Sequence, residues 1–181
     1  MMSWLSKLIF SALGWKIKGN YDNTIPKKIL IVAPHTSNWD FPIGLLVRSI
    51  IKDRIQFVGK DTLFKPPFGF IMKAIGGIPV DRSRSTNFVR AVVNEYNARE
   101  KMTIVIAPEG SRKKVSKFKT GFYFIAKAAN IPIVKVRFDY GRKEVCFDDP
   151  FYPTDNSEQD IKIIEDYFRG IKGYNIDKSF N

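Results

Sequence analysis

The chain carries a single histidine, in Pro34-His35-Thr36-Ser37-Asn38-Trp39-Asp40, with an aspartate five residues on. Imidazole takes up and releases a proton near neutrality. A carboxylate that accepts from one ring nitrogen fixes the tautomer and leaves the other nitrogen to act as a base. This pair suits removal of a proton from an alcohol, so that its oxygen can attack a carbonyl. The alternative is a satisfied histidine beside a helix-capping aspartate. A second group is Ala107-Pro108-Glu109-Gly110-Ser111-Arg112, followed by Lys113, Lys114, Lys117 and Lys119. Glycine lets backbone amides approach an anion, and an arginine fork holds phosphate in a fixed orientation. Glu109 among these cations can orient Arg112 or accept from a substrate hydroxyl. A third group, Gly76-Gly77-Ile78-Pro79-Val80-Asp81-Arg82 with Arg84 beyond it, offers another phosphate contact. Taken singly, the second group reads equally well as a solvated basic loop, and basic residues after a turn, as in the third, are usually just solvated.

These residues need a scaffold, and the sequence alternates strand-like with helix-like segments. Residues 28–33 are a short β-branched run ending at Pro34, which reads as a buried strand. Helical periodicity over 41–51 follows Ser37, Asn38 and Asp40, all good caps, with Pro42 suited to a first turn. Further strands are expected at 55–59, 78–80, 102–107, 133–139 and 144–147, the last forming a hairpin around Gly141-Arg142. Pro79 marks 78–80 as an edge or strand end. Helices are expected at 68–74, 87–99, 121–129 and 157–174. The alternation predicts a single α/β domain with a mixed, mostly parallel sheet flanked by helices. Both His35–Asp40 and Glu109–Arg112 fall just after a strand, where sites collect in such sheets.

The chain is long enough, at 181 residues, for one real core. Thirty Lys and Arg against eighteen acids give a formal charge of +12, so the surface seeks phosphate. The sole cysteine, Cys146, cannot form an internal disulfide, which points to a reducing compartment and a packing role. One His and one Cys exclude the usual zinc ligand sets. Residues 1–19 place Trp4, Leu5, Leu8, Ile9, Ala12, Leu13 and Trp15 at helical spacing, with Lys7, Lys16 and Lys18 among them. The expectation is an amphipathic helix that lies in a membrane interface, ahead of a domain at 20–181; the alternative is a helix packed on that domain. No apolar stretch reaches the ~20 residues that span a bilayer.

Together the blocks resemble the glycerophospholipid acyltransferase family, whose best-known members are the 1-acyl-sn-glycerol-3-phosphate acyltransferases. The likeness covers about residues 29–136. His35 to Asp40 matches the family's H-x-x-x-x-D. Lys60-Asp61-Thr62-Leu63-Phe64 leading to Gly76–Arg82 is similar to its second block, and Ala107–Arg112 to its F-P-E-G-T-R. Ile131-Pro132-Ile133-Val134-Lys135-Val136 is similar to the fourth. Ala107 stands where an aromatic is usual, Ser111 where threonine is, and Lys135 where proline is; the serine keeps the hydroxyl.

The resemblance implies that His35 is the general base and that Asp40 holds the imidazole. It implies that Lys60 stabilises the oxyanion, and that Glu109, Gly110, Ser111 and Arg112, assisted by Arg82, bind the acceptor's glycerol and phosphate. The donor would be the thioester of acyl carrier protein or coenzyme A, used as a co-substrate with no metal and no bound cofactor. The acceptor would be a lysophospholipid at an anionic membrane surface on the cytoplasmic face, or a related hydroxyl such as that of a lyso-aminolipid. A non-catalytic basic protein that binds nucleic acid or membrane would explain the charge. It would not explain four ordered blocks or the placement of the only histidine, and no nucleic-acid partner is expected.

Overall fold

The computed structural model describes residues 3–67, 69–80 and 85–180. The chain runs through α1 (Ser3–Ala12), β1 (Lys16–Lys18), β2 (Lys27–Ala33), α2 (Asp40–Ile51) and β3 (Ile55–Lys60). It continues through α3 (Gly69–Ala74), β4 (Gly77–Val80), α4 (Ser85–Asn97) and β5 (Met102–Ile106). It ends with α5 (Gly121–Ala129), β6 (Ile133–Asp139), β7 (Glu144–Phe151) and α6 (Ser157–Phe168).

The strands form one seven-stranded sheet in the order β1-β7-β6-β2-β5-β3-β4. Only the β6–β7 hairpin pairs antiparallel; every other neighbour pairs parallel. The sheet is therefore mixed and mostly parallel, as the alternation of segments predicts. Its middle strand explains why. Ile29, Ile31 and Ala33 of β2 enter one core with Tyr96, Phe122, Ile164 and Phe168 of α4, α5 and α6. Leu30 and Val32 enter the opposite core with Phe10 of α1 and Ile43 and Val47 of α2. A strand buried on both faces reads as a continuous apolar run, and each buried Ile or Leu contributes roughly 1.5–3 kcal/mol.

Three features depart from the sequence reading. Lys16–Lys18, expected within the terminal amphipathic segment, form β1 and pair parallel with residues 144–146. The strand expected at 144–147 runs to Phe151, with Pro150 opposite Val134 and past the stretch that β1 covers, where an open edge tolerates proline. The last helix stops at Phe168 rather than residue 174, because Arg169 is extended and Gly170 has φ +76°. Its start follows the cap rules: the Asn156 side chain accepts from Gln159 N at 3.1 Å while Gln159 Oε1 accepts from Asn156 Nδ2 at 3.1 Å.

The terminal helix α1 does pack on the domain, through the buried Phe10 and Ser6, the latter bonded to Ser49 of α2 at 2.8 Å. Its outer side leaves Trp4, Leu5, Leu8 and Ile9 exposed, Trp4 to 61% and Leu8 to 60%. Among the described residues no helix is long and apolar enough to cross a membrane.

Beneath the sheet's other end, Lys28 is 1% exposed. Its ammonium donates to Asp22 O at 2.7 Å and lies 3.5 Å from Asp53 and 4.4 Å from the Tyr21 ring centroid. Asp53 also accepts from Tyr21 and, at 2.9 Å, from Thr103 Oγ1 of β5. Burial alone would raise the Asp53 carboxyl, but those hydroxyls and the Lys28 charge hold it below its ordinary value. This cluster ties the loop ahead of β2 to α2 and β5. Asp53→Ala leaves a buried cation uncompensated, so urea unfolding should show a loss of about 3–5 kcal/mol.

Candidate active site

Strands β2 and β5 are parallel neighbours, with Ile31 opposite Ile106. Their carboxyl ends therefore open side by side, and so do the loops that follow. The loop after β2 carries His35; the loop after β5 carries Glu109 to Arg112. Helix α2 then starts at Asp40, which turns the aspartate back over the histidine.

His35 Nδ1 lies 2.8 Å from Asp40 Oδ2. The same oxygen accepts the backbone N–H groups of Thr36 and Ser37, each at 3.1 Å. Asp40 Oδ1 accepts from the Tyr140 hydroxyl at 2.7 Å. The aspartate is 6% exposed, while the histidine side chain is 30% exposed. The carboxylate is thus fixed in the interior and the ring reaches solvent. With Nδ1 engaged, Nε2 is the nitrogen left to exchange a proton with a bound hydroxyl.

The two loops are also joined directly. Glu109 Oε2 accepts the backbone N–H of His35 at 2.6 Å, and Arg112 donates to Asn38 Oδ1 inside the His35–Asp40 interval. The expected convergence of these blocks is therefore met in the geometry. Glu109 itself is 2% exposed, and its Oε1 is buried with no partner among the described residues. Burial raises its carboxyl to about 7, against the counter-pull of the His35 N–H. Gly110 has φ +66°, and a Cβ there would fall 2.7 Å from the Lys119 side chain. Glycine suits a loop that turns left-handed there, since a side chain would be strained at this φ and would displace the end of that lysine. Arg112, Lys113, Lys114 and Lys117 are exposed, while Phe118 N, bonded to Glu165 at 2.7 Å, and Lys119 N, bonded to Pro108 O at 2.8 Å, anchor the end of the basic stretch. A cationic mouth beside a base oriented by a carboxylate can hold a phosphate-bearing alcohol while its hydroxyl is deprotonated.

The other expected residues divide. Ser111 lies exposed in the basic loop, its Oγ accepting from Lys113 N at 3.3 Å. Lys60 ends β3, paired with Val80 in register, and its side chain lies outside the described residues, as does the whole of Arg82. Lys135 lies away from the reacting groups: it is 8% exposed, 2.7 Å from Asp148 and over the Tyr167 ring at 4.5 Å. In place of the usual proline it ties β6 to β7 and α6. The Tyr140 and Asn175 contacts have no local signal. Asn175 donates to Thr36 from both its backbone (3.0 Å) and its side chain (2.7 Å), across 139 residues. Asn38, within the motif interval, reads from sequence only as a cap.

Glu109 also sets a test. A carboxyl raised on folding contributes stability that is full below its unfolded value and is lost as pH rises through about 7. Glu109→Gln keeps an acceptor for His35 N–H but cannot ionise. Its melting temperature should therefore fall less than that of wild type between pH 5 and pH 8, as read by differential scanning calorimetry.

A family model described as Acyltransferase matches residues 16–139, well over half of the chain. The 1-acyl-sn-glycerol-3-phosphate acyltransferase of Salmonella typhimurium is 32% identical over 124 residues, covering 65% of this chain and 47% of that protein. Its counterpart in Streptococcus pneumoniae is 30% identical over 132 residues, covering 68% and 49%. The human 1-acyl-sn-glycerol-3-phosphate acyltransferase beta is 34% identical over 113 residues, covering 59% and 40%. The chain spans about half the length of the curated relatives it matches. In fold it is similar to the crystal structure of the 1-acyl-sn-glycerophosphate (LPA) acyltransferase, PlsC, from Thermotoga maritima. The TM-score is 0.62 at 20% identity, covering 91% of this chain and 74% of that one. On its ordered blocks and the extent of the family match, this chain belongs to the Acyltransferase family.

Proposed function

We propose that the chain transfers a fatty acyl group from the thioester of acyl carrier protein or coenzyme A to the free hydroxyl of a lysophospholipid. The simplest case is 1-acyl-glycerol-3-phosphate going to phosphatidic acid. The observation that carries this reading is the partly exposed imidazole of His35, bonded to the buried carboxylate of Asp40, in a loop whose backbone N–H at His35 donates to Glu109. The names of the relatives support the choice of acceptor.

In this reading His35 Nε2 takes the acceptor's hydroxyl proton as the oxygen attacks the thioester carbonyl. Asp40 stabilises the resulting imidazolium. Lys60 and nearby backbone amides hold the tetrahedral oxyanion. The carbon–sulfur bond then breaks, and the imidazolium returns its proton to the departing thiolate. Arg112, with Gly110, Ser111 and the basic loop, holds the acceptor's phosphate, and Arg82 assists. Glu109 fixes the loop that carries the base and meets the glycerol with its free oxygen. No metal or bound cofactor takes part.

The enzyme would work as a peripheral protein on the cytoplasmic face of an anionic membrane. Supporting this are the exposed apolar side of α1 and the exposed Trp39 and Phe41 beside the site. A basic surface adds ~1 kcal/mol per Lys or Arg near anionic lipid.

The test is a panel of acyl-CoA and acyl carrier protein donors against lysophosphatidate and a lyso-aminolipid, with purified wild type and His35→Ala. Lysophosphatidate should be turned over, and His35→Ala should lose roughly 10²–10⁴-fold while binding anionic vesicles as before. Turnover of the lyso-aminolipid alone would replace the acceptor. An undiminished His35→Ala, or vesicle binding with no transfer to any acceptor, would overturn the reading.

A further inference from the structure

Tyr140 follows β6 at the start of the hairpin turn, 100 residues from the aspartate it touches. The two oxygens of Asp40 are held differently. Oδ2 accepts from His35 Nδ1 and from two backbone N–H groups. Oδ1 accepts from the Tyr140 hydroxyl at 2.7 Å. A donor on the second oxygen holds the carboxylate plane from its far side and draws electron density away from the oxygen that faces the imidazole.

The phenol is itself firmly placed. Its ring meets Trp15 edge-on at 4.8 Å and Tyr174 at 5.5 Å, and its backbone N–H donates to Lys172 O at 2.8 Å. Two separate stretches of chain, one at Trp15 and one at residues 172–174, thus aim one hydroxyl. Burial first, and Asp40 second, push that hydroxyl well above its ordinary range, so it stays a donor.

We propose that Tyr140 is a positioning residue, which by donating to Oδ1 sets the plane and the electron density of Asp40 and, through it, the orientation and basicity of His35. This rests on the acyl-transfer reading with His35 as the base. The competing role is plain packing, since Tyr140 also lines an apolar groove with Trp15, Trp39 and Ile43. The two roles separate at the hydroxyl. Tyr140→Phe keeps the ring and removes the donor.

The direction of the effect follows from charge. An Asp40 carboxylate with one donor fewer is less stabilised, so it holds a protonated imidazole more firmly. The base is then freed only at higher pH. Among the described residues, the other charged or titratable groups on this corner include Glu109 after β5, Arg112 through Asn38, Asp139, Arg142 and Lys143 around the hairpin turn, and Lys172 and Tyr174 on the carboxyl-terminal stretch. The turn after α1 and the start of α2 present only apolar side chains to the groove, Leu13 and Trp15 from the first and Pro42, Ile43 and Leu46 from the second. Tyr140→Phe alters none of these.

In Tyr140→Phe, kcat should fall roughly tenfold, as loss of one hydrogen bond to a charged group allows, with KM within about twofold of wild type. The acid limb of kcat/KM should move to higher pH. Because the chain holds one histidine, its ring gives a single imidazole signal in NMR, and that signal should also titrate at higher pH in the variant. Tyr174→Phe, which leaves the Tyr140 hydroxyl in place, should move neither. A Tyr140→Phe protein with wild-type kcat, acid limb and imidazole titration would reduce Tyr140 to a packing residue. Absence of acyl transfer in wild type, or full activity in His35→Ala, would instead refute the catalytic reading, and the imidazole titration would still decide what Tyr140 does to His35.

Discussion

The buried carboxylate of Asp40 is the point on which this site turns. It is the first residue of α2, yet its side chain reaches back rather than out, collecting donors from His35, Thr36, Ser37 and Tyr140. A charge this deep is tolerable only because every approach to it ends in a hydrogen bond. Satisfying the carboxylate forces the loop after β2 to fold over the start of α2. That fold presents the imidazole at the surface. The cost of burying an ion and the aim of a base are met by the same set of contacts.

The parallel pairing of β2 with β5 supplies the other half. Two strands that end side by side deliver two loops to one place. Glu109 then clamps them, its oxygen on the His35 N–H, while Arg112 reaches Asn38 from the outside. At the opposite end of β2, Lys28 and Asp53 make a second polar knot that fixes where the strand begins. The middle strand is therefore pinned at both ends, with apolar packing on both faces between them. Such a strand is a rigid base for a site that must hold a reacting oxygen to within a fraction of an ångström.

Much of this was legible in the chain itself. The β-branched run of β2, the caps before α2 and the strand–loop placement of His35 and Glu109 are local patterns, and local patterns survive folding. The contact between His35 and Asp40 is legible for the same reason, because only five residues separate them. What the sequence hid was distant. Tyr140 reaches Asp40 from across the sheet, and Asn175 reaches Thr36 after α6 has ended early at Phe168. Apolar periodicity through Ile171 and Tyr174 masks that ending, since it is the backbone of one glycine that breaks the helix. Lys135, a departure from the proline usual at that place, has no reading from sequence, because the Asp148 carboxylate and the Tyr167 ring that satisfy it lie on other elements.

The central claim is that a carboxylate, and not merely a neutral hydrogen-bonding group, stands behind the histidine. Asp40→Asn tests it most directly, since the side chain keeps its size and its reach to Thr36 and Ser37 but loses its charge and can hold the imidazole in the wrong tautomer by donating to Nδ1. Measured by single-turnover transfer from acyl-CoA to lysophosphatidate, with vesicle binding and circular dichroism as controls, the account predicts a loss of roughly 10³-fold or more in a folded, membrane-binding protein. A folded Asp40→Asn protein that transfers the acyl group at the wild-type rate would contradict it.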